Sequence, residues 1–555
     1  MDIKQQLIAA VGQAAAKATA DGIFDAGQLP EIALEVPPQK EFGDYATNFA
    51  MQSAKAAKTN PRIIAQAIVE RLDAPWLDKA VIAGPGFINF YLKSDWLYRE
   101  LAQILAAGDT FGQSNSGQGE RVQVEFVSAN PTGPLHVGHG RGAAVGSALV
   151  NLLKAAGYNV EAEFYINDAG NQIDNLAASV NARYLELLGQ PTRFPEDGYH
   201  GQDIIDTAKR IIQHHGEKYL NMPEAERLAE FKELALAEKL AALKDDLEQF
   251  GVTFDVWFSE RTLHSSGAVA ETCKLLKSNG SIYEKDGALW LKSTTYGDDK
   301  DRVVIRDNGV PTYLAADIAY HRDKFSRGFN RVINIWGADH HGYISRVKAA
   351  IAAMGYNPDN LEVLILQMVS LYQNGELVKM SKRTGQGVTL SELIEEVGRD
   401  AARFFFIMRS TDSQLDFDLD LAKSSSNDNP VYYIQYAHAR ISSIFRQALE
   451  AGIMIPSVWD EVNLAVLAEQ AEVDLIKKMA EFPDEVASAA RERAPHRIAR
   501  YAHELAGMFH TFYNQCRIIG VDAGLQSARL ALVTAVRSTI RQALNILGVA
   551  APEKM

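Results

Sequence analysis

A chain of 555 residues exceeds what a single hydrophobic core ordinarily supports, so two to four domains are expected. Hydrophobic residues at 47% and charged residues at 23% are ordinary for globular chains and exclude collagen-like and disordered classes. The net charge of −14 argues against a nucleic-acid partner unless basic groups are gathered locally, because phosphates select Lys and Arg.

The segment from Met1 to Gly22 carries Asp2 and Asp21 and has no apolar core with a cleavage site, so neither a secretory nor a transit peptide is expected. No run approaches the roughly 18 apolar residues needed to span a bilayer. Cys273 and Cys516 lie far apart without metal-ligand spacing, so no disulfide or zinc framework is expected. A reducing, cytoplasmic setting fits.

In chain order, residues 1–22 read as a helix stopped at Asp21-Gly22, and Pro61 to Leu72 as a second helix behind the cap signal Thr59-Asn60. Strand-like runs follow at Ala80–Ala83 and Phe87–Leu92, split by Gly84-Pro85-Gly86. These make a small α+β domain, residues 1–112, closed by the linker-like run from Gln113 to Gly119. A strand at Arg121–Val127, a Pro/Gly-rich loop at Asn130–Gly140, a helix to Gly157 and a strand at Val160–Tyr165 form a βαβ unit. Further apolar runs at Arg302–Ile305, Arg331–Trp336 and Leu361–Met368 extend one parallel, Rossmann-like nucleotide-binding sheet over residues 113–428. Residues 201–250 are helical and highly charged, which marks a helical insertion at about 174–250 in that domain. From Asn429 strand signals vanish, and residues 429–555 read as an all-α bundle.

From Val431 onward there are 13 Lys+Arg and 13 Asp+Glu, so the acidic excess lies in residues 1–430. Arg491, Arg493, Arg497 and Arg500 cluster, as do Arg537 and Arg541 one helical turn apart. Both a solvated helix face and a local RNA-facing surface fit these arginines.

The sequence from Pro131 through Pro134, His136, Gly138 and His139 to Gly140 falls where a first strand turns into a first helix. Glycines there let the backbone approach a phosphate, and the N–H groups of a helix start favour negative charge. Two imidazoles three residues apart can both donate to charge developing on phosphorus. A dinucleotide loop also fits Gly138, Gly140 and Gly142, although its spacing is imperfect and it leaves the histidines without a task. Far downstream, Lys379-Met380-Ser381-Lys382-Arg383-Thr384-Gly385 places lysines suited to gripping terminal phosphates. Alone, that run also fits a basic surface loop.

Together the two motifs resemble the HIGH and KMSKS signatures of the class I aminoacyl-tRNA synthetases. Arg383 stands where the second signature ends in serine, and the phosphate-binding lysine falls on Lys382. The residues from Glu125 to Pro134, from Asn167 to Gln172 and from Thr312 to Tyr320 are similar to the lead-in strand, following segment and guanidinium-recognition helix of the arginyl-tRNA synthetases. The resemblance covers essentially the whole chain. It implies that His136, His139 and Lys382 are catalytic, and that Ser128, Asn130 and His139 contact the arginine main chain or the adenylate. Tyr313, Asp317 and His340 would face the arginine; His340 stands where many members have glutamine. Pro134, His136, Gly138, His139, Gly337, Asp339, Met368, Val369, Lys379, Met380, Ser381 and Lys382 would line ATP.

The chemistry of the ligand points the same way. A guanidinium presents five donors in a planar fork, so its pocket needs acceptors such as Glu125 and Asp317 and a ring such as Tyr313. Such a site discriminates by about 10⁴–10⁵ without editing, because a wrong substrate leaves buried carboxylates unpaired.

Val431–Arg440 and Val521–Leu530 resemble helices of the family's anticodon-binding bundle, which makes Tyr432, Tyr436, Arg440 and Arg497 candidate tRNA contacts. Phe42, Tyr45 and Asn48 fit the additional N-terminal domain that reads the tRNA elbow. The resemblance further implies arginine–tRNA ligase activity, ATP with Mg2+ as a substrate complex, tRNA(Arg) as partner, a monomer, no structural metal, and a need for tRNA in adenylate formation. Two rivals stay open, a tRNA-independent adenylyltransferase and a catalytically inactive RNA-binding relative.

Overall fold

The structure, a computed structural model, describes residues 3–25, 29–378, 387–456 and 458–555. The chain divides into two compact units. One comprises Met1–Ala107, Ile455–Ala480 and Arg517–Ala535; the other comprises Gly108–Met454, Glu481–Cys516 and Val536–Met555. The helical tail expected at 429–555 thus contributes to both.

In the first unit, α1 (Ile3–Ala20) buries Leu7, Val11, Ala14 and Ala18, a stripe at helical spacing, against α2 (Pro61–Arg71). The Asn60 side chain accepts from the Arg62 N–H at 2.9 Å and Pro61 opens the helix, which explains its sharp start. Strands β1 (Tyr45–Thr47), β2 (Leu77–Ala83) and β3 (Phe87–Leu92) form an antiparallel sheet in the order β1-β3-β2. Ile88 and Phe90 project from it onto the two helices.

The second unit is built on five parallel strands. β4 (Arg121–Glu125) leads into α3 (Val137–Ala155), which returns to β5 (Asn159–Ile166). Helices α4 (Asn171–Leu187), α5 (Gln202–His215) and α6 (Glu224–Gln249) form the expected insertion before β6 (Val256–Ser259). The Arg302–Ile305 run does not extend this sheet. With β7 (Ile282–Lys285) and β8 (Ala288–Leu291) it makes a separate antiparallel sheet as β9 (Arg302–Ile305), because the short connection from β8 lacks the dozen or more residues a parallel crossover requires. Helix α7 (Tyr313–Ser326) leads to β10 (Arg331–Gly337) and later β11 (Leu361–Leu366), which complete the parallel sheet in the order β11-β10-β4-β5-β6. The order reverses between β4 and β10, and a crevice at the carboxyl ends of those strands is where an open α/β sheet binds its ligand.

A hairpin of β12 (Val369–Gln373) and β13 (Glu376–Val378) follows, with β14 (Leu415–Asp418) parallel to β12. Helix α8 (Arg399–Ile407) packs on α3, and α9 (Pro430–Glu450) on α10 (His496–Gln515). Helix α11 (Ala523–Leu547) closes the chain.

Candidate active site

α3 is buried almost all round, from Gly140 to Leu153, because it lies between the sheet and α8. Its approach to the sheet depends on glycine: a Cβ at Gly146 would sit 2.2 Å from the Phe126 ring. The helix therefore begins at the sheet's carboxyl edge, and His136 is its N-cap.

The His136 ring nitrogen Nδ1 accepts the Gly138 N–H at 3.1 Å, and His139 Nδ1 accepts the His136 N–H at 3.3 Å. The two rings stack with centroids 3.7 Å apart. With both Nδ1 atoms accepting, each neutral imidazole carries its proton on Nε2, so Nε2–H is the donor left for a ligand. Burial lowers both from the ordinary histidine value, His139 to about 4 with help from His136. The pair thus acts at neutral pH as two uncharged donors at a positive helix end.

The second motif, Lys379–Gly385, with its ATP-binding and catalytic candidates Lys379, Met380, Ser381 and Lys382, lies outside the described residues. The flanking chain does reach the first motif. Thr389 forms an antiparallel bridge with His136, and the Leu390 N–H donates to the Leu135 carbonyl at 2.8 Å. On the other flank β13 ends at Val378.

Between β4 and α3 the backbone takes left-handed φ values at two non-glycine residues, Val127 at +67° and Ser128 at +41°. Strain of this kind at a β-branched residue is held only where surrounding contacts enforce it. Here Ser128 donates to Glu125 at 2.9 Å and accepts from the Tyr165 N–H at 3.2 Å, while the Asn130 and Asn167 side-chain amides meet at 3.2 Å. The second Glu125 carboxylate oxygen accepts from buried Lys324, 2.5 Å away, which also reaches Asn334 at 2.9 Å. Glu125 therefore anchors the loop through an internal ion pair before any ligand arrives.

On α7, Tyr313 is exposed and its hydroxyl comes within 3.6 Å of the position a Cβ at Gly170 would take. One turn on, the Asp317 carboxylate accepts from the Tyr343 hydroxyl. Desolvation, with neighbouring Glu260 and Glu125, pushes Asp317 up to about 7 against the lowering effect of Tyr343. Glu260 is buried and also raised, mainly by desolvation. Tyr165 is raised beside these acids for the same reason. Asp317, Glu260 and Tyr165 are mutually close groups in which two buried carboxylates lie beside aromatic rings, the kind of acceptor set a planar cation would suit.

Glu260, Tyr165, Tyr343 and Lys324 went unread in the sequence. Only Glu260 had a signal, since it follows the end of the parallel strand β6, and that four-residue strand is too short to stand out. The remaining ATP candidates line the edge: Pro134 and Gly138 are exposed beside His136, Gly337 ends β10, Asp339 is exposed, and Met368 (70% exposed) and Val369 begin the hairpin. His340 sits on the turn after β10, its ring 6.2 Å from Trp336 and Nε2 3.4 Å from Asp339. No group of His, Cys, Asp or Glu able to hold a metal occurs among the described residues.

The tRNA candidates fall into three settings. Phe42 is exposed, with Tyr45 on β1 and Asn48 just beyond it. Tyr432, Tyr436 and Arg440 lie one turn apart on α9: the two rings stack at 5.9 Å, and Arg440 lies over Tyr436 at 4.4 Å and Tyr513 at 4.7 Å. Arg497 is engaged internally, with a two-point ion pair to Glu485 at 2.8 Å and another to Glu492 at 2.6 Å.

The chain matches three family models: the arginyl tRNA synthetase N terminal domain over residues 2–92, the catalytic domain of class I (R) tRNA synthetases over residues 100–413, and the DALR anticodon binding domain over residues 434–555. It is 56% identical to the arginine–tRNA ligase of Carboxydothermus hydrogenoformans, covering all of this chain and 99% of that one. A Campylobacter jejuni crystal structure described as a candidate arginyl tRNA synthetase superposes with a TM-score of 0.76 at 38% identity, over 84% of this chain and all of that one. The Thermus thermophilus arginyl-tRNA synthetase has the same fold, with a TM-score of 0.77 at 24% identity over both whole chains.

Proposed function

The chain belongs to the class I arginyl-tRNA synthetases and is an ATP-dependent arginine–tRNA ligase, and from that premise we propose how its own residues carry the reaction. The arginine carboxylate attacks the α-phosphorus of ATP, diphosphate leaves, and arginyl-adenylate forms. The hydroxyl of the 3′-terminal adenosine of tRNA(Arg) then attacks the carbonyl and AMP leaves. The observations that carry the residue roles are a helix start capped by two imidazoles after β4, and a group of buried acids, Glu260 after β6 and Asp317 on α7, beside Tyr165 of the same sheet.

The guanidinium enters between Asp317 and Glu260 with Tyr313 over it, while Ser128 and Asn130 hold the amino-acid main chain. Glu125 keeps that loop in place through Lys324, and His340 borders the pocket. The Nε2–H groups of His136 and His139 donate to phosphate oxygens as charge builds, joined by Lys382, so catalysis is mainly positioning and charge stabilisation. Pro134, Gly138, Gly337, Asp339, Met368 and Val369 line the nucleotide, with Lys379, Met380 and Ser381 over its phosphates. Mg2+ would enter with ATP as part of the substrate complex and offset the charge of its phosphates.

We assign residues 1–112 to the tRNA elbow, 113–428 to catalysis and 429–555 to the anticodon, which accords with the extents of the three family matches. Phe42, Tyr45 and Asn48 serve the first of these, and Tyr432, Tyr436 and Arg440 the last. The enzyme works as a monomer in the cytoplasm; among the described residues no helix is long and apolar enough to cross a membrane.

Charging of bulk tRNA with each of the twenty labelled amino acids tests the reading. Arginine alone should be transferred, and comparable transfer of any other amino acid would overturn the pocket assignment. ATP–diphosphate exchange without tRNA would favour a tRNA-independent adenylyltransferase mechanism.

A further inference from the structure

Arg141 stands two residues beyond His139 on α3 and is 1% exposed. Its hydrogen bonds all go to main-chain carbonyls: Nη1 to Gln367 at 2.7 Å and Ser413 at 3.0 Å, and Nη2 to Ser410 at 2.9 Å. Nε is buried without a partner, and among the described residues the only charge that helps the group is that of the exposed Asp412 carboxylate between Ser410 and Ser413, against which burial still lowers the guanidinium to about 10. Burying a cation this way is costly, and an apolar side chain of similar length would fill the space without that penalty. The guanidinium does what an apolar chain cannot, since its planar fork holds three carbonyls from two separate segments at once.

Those segments share a role. Gln367 immediately precedes Met368 and Val369, where the β12–β13 hairpin starts, and that hairpin ends at Val378 beside the second motif. Ser410 and Ser413 lie on the loop that leads into β14, the parallel neighbour of β12. The loop also meets the hairpin root directly, through the Gln367 N–H on the Thr411 carbonyl at 3.0 Å and the Leu415 N–H on the Met368 carbonyl at 3.1 Å.

We propose that Arg141 is a positioning residue for adenylate formation: it pins the root of the β12–β13 hairpin to the first turns of α3, so that the nucleotide contacts on the hairpin stay in register with His136 and His139. This rests on the phosphate roles given above to those histidines and Lys382. Displacing one half of such a site by about 1 Å is enough to lower a rate on the order of 10²-fold.

The test is ATP–diphosphate exchange by the full-length enzyme with saturating tRNA, comparing Arg141→Lys, His136→Ala and the double variant. Arg141→Lys should lower kcat by about 10–100-fold with the arginine KM within about twofold, since lysine cannot span three carbonyls as the planar fork does. In the His136→Ala background the same change should cost under about threefold, because part of what the hairpin is kept in register with is already gone. Equal losses in both backgrounds, or a rise in arginine KM with a falling thermal midpoint, would overturn the proposal. Where Arg141→Lys does not fold, Arg141→Gln, which keeps donors without burying a charge, is read in the same way. Failure of both to fold would assign Arg141 to stability alone and also overturn it. An unchanged rate in His136→Ala by itself is a different result, which counts first against the phosphate role of His136 and through it against this coupling.

Discussion

A carboxylate held near neutrality is the residue-level feature with the most direct consequence. In the role proposed for it, Asp317 must be ionised to hold the guanidinium, and burial with neighbouring acids pushes its carboxyl up to about 7. Ionisation is complete above that value and lost below it, so the arginine KM should rise as pH falls. At pH 6 it should be about tenfold higher than at pH 8, and Asp317→Asn should raise it at every pH and flatten the profile. A pH-independent KM would remove Asp317 from the guanidinium site. Burial lowers His139 to about 4 and moves His136 in the same direction, so kcat should show no limb from His139 in this window. His136→Ala should lower kcat by about 10²–10³ with little change in arginine KM, as expected of a donor used mainly in the transition state. Steady-state kinetics with a KM-only effect would contradict that role. At this scale the histidine pair was legible from its spacing at a helix start, and Tyr313 and Asp317 were singled out by the family resemblance, which also supplied the helix they share. Glu260 and Lys324 were not, because each meets its partners only through strands and helices far away in sequence.

At the scale of elements, α3 determines how accurately the site is built. It is closely packed on both sides, and Gly146 is where the Phe126 ring leaves no room for a side chain. Gly146→Ala should therefore lower stability by about 1–3 kcal/mol in urea unfolding, although alanine is the better helix former. A neutral or stabilising result would show that the helix can slide. The glycine-rich start of this helix was legible as a phosphate-approach loop, but periodicity could not reveal that a later glycine serves packing instead. The misassigned strand Arg302–Ile305 has the same origin: so short a run, three apolar residues after Arg302, suits either kind of sheet, and only the length of the connection decides between them.

For the whole molecule, the question is where an acidic chain keeps basic surface for RNA. Part of the arginine cluster read from the sequence is already matched by carboxylates: Arg493 pairs with Glu362 and Arg497 with Glu485 and Glu492, while Arg541 pairs with Asp109 at the surface. The aromatic face of α9 is different, because Arg440 lies over two tyrosines and has no carboxylate partner among the described residues. Aminoacylation titrated with tRNA should separate the two settings. Arg440→Ala should raise the tRNA KM by about 5–20-fold while leaving the arginine KM unchanged. Arg497→Ala should leave the tRNA KM within about twofold and lower stability by about 1–2 kcal/mol, since it abandons the partly buried Glu485 carboxylate. The reverse pattern would place the RNA surface at Arg497.

The linear sequence by itself determined the family, the βαβ core, the helical insertion, the helical tail and the histidine pair. Each of these rests on local spacing or on a contiguous motif. Tertiary structure alone decided which charges are free and which are already matched, since an ion pair such as Glu125 with Lys324 or Arg497 with Glu485 depends on chain crossings that no local pattern encodes. It also decided that Asp317 would be buried with Glu260 and Glu125 close enough to raise it, because desolvation is a property of the assembled volume and not of the chain.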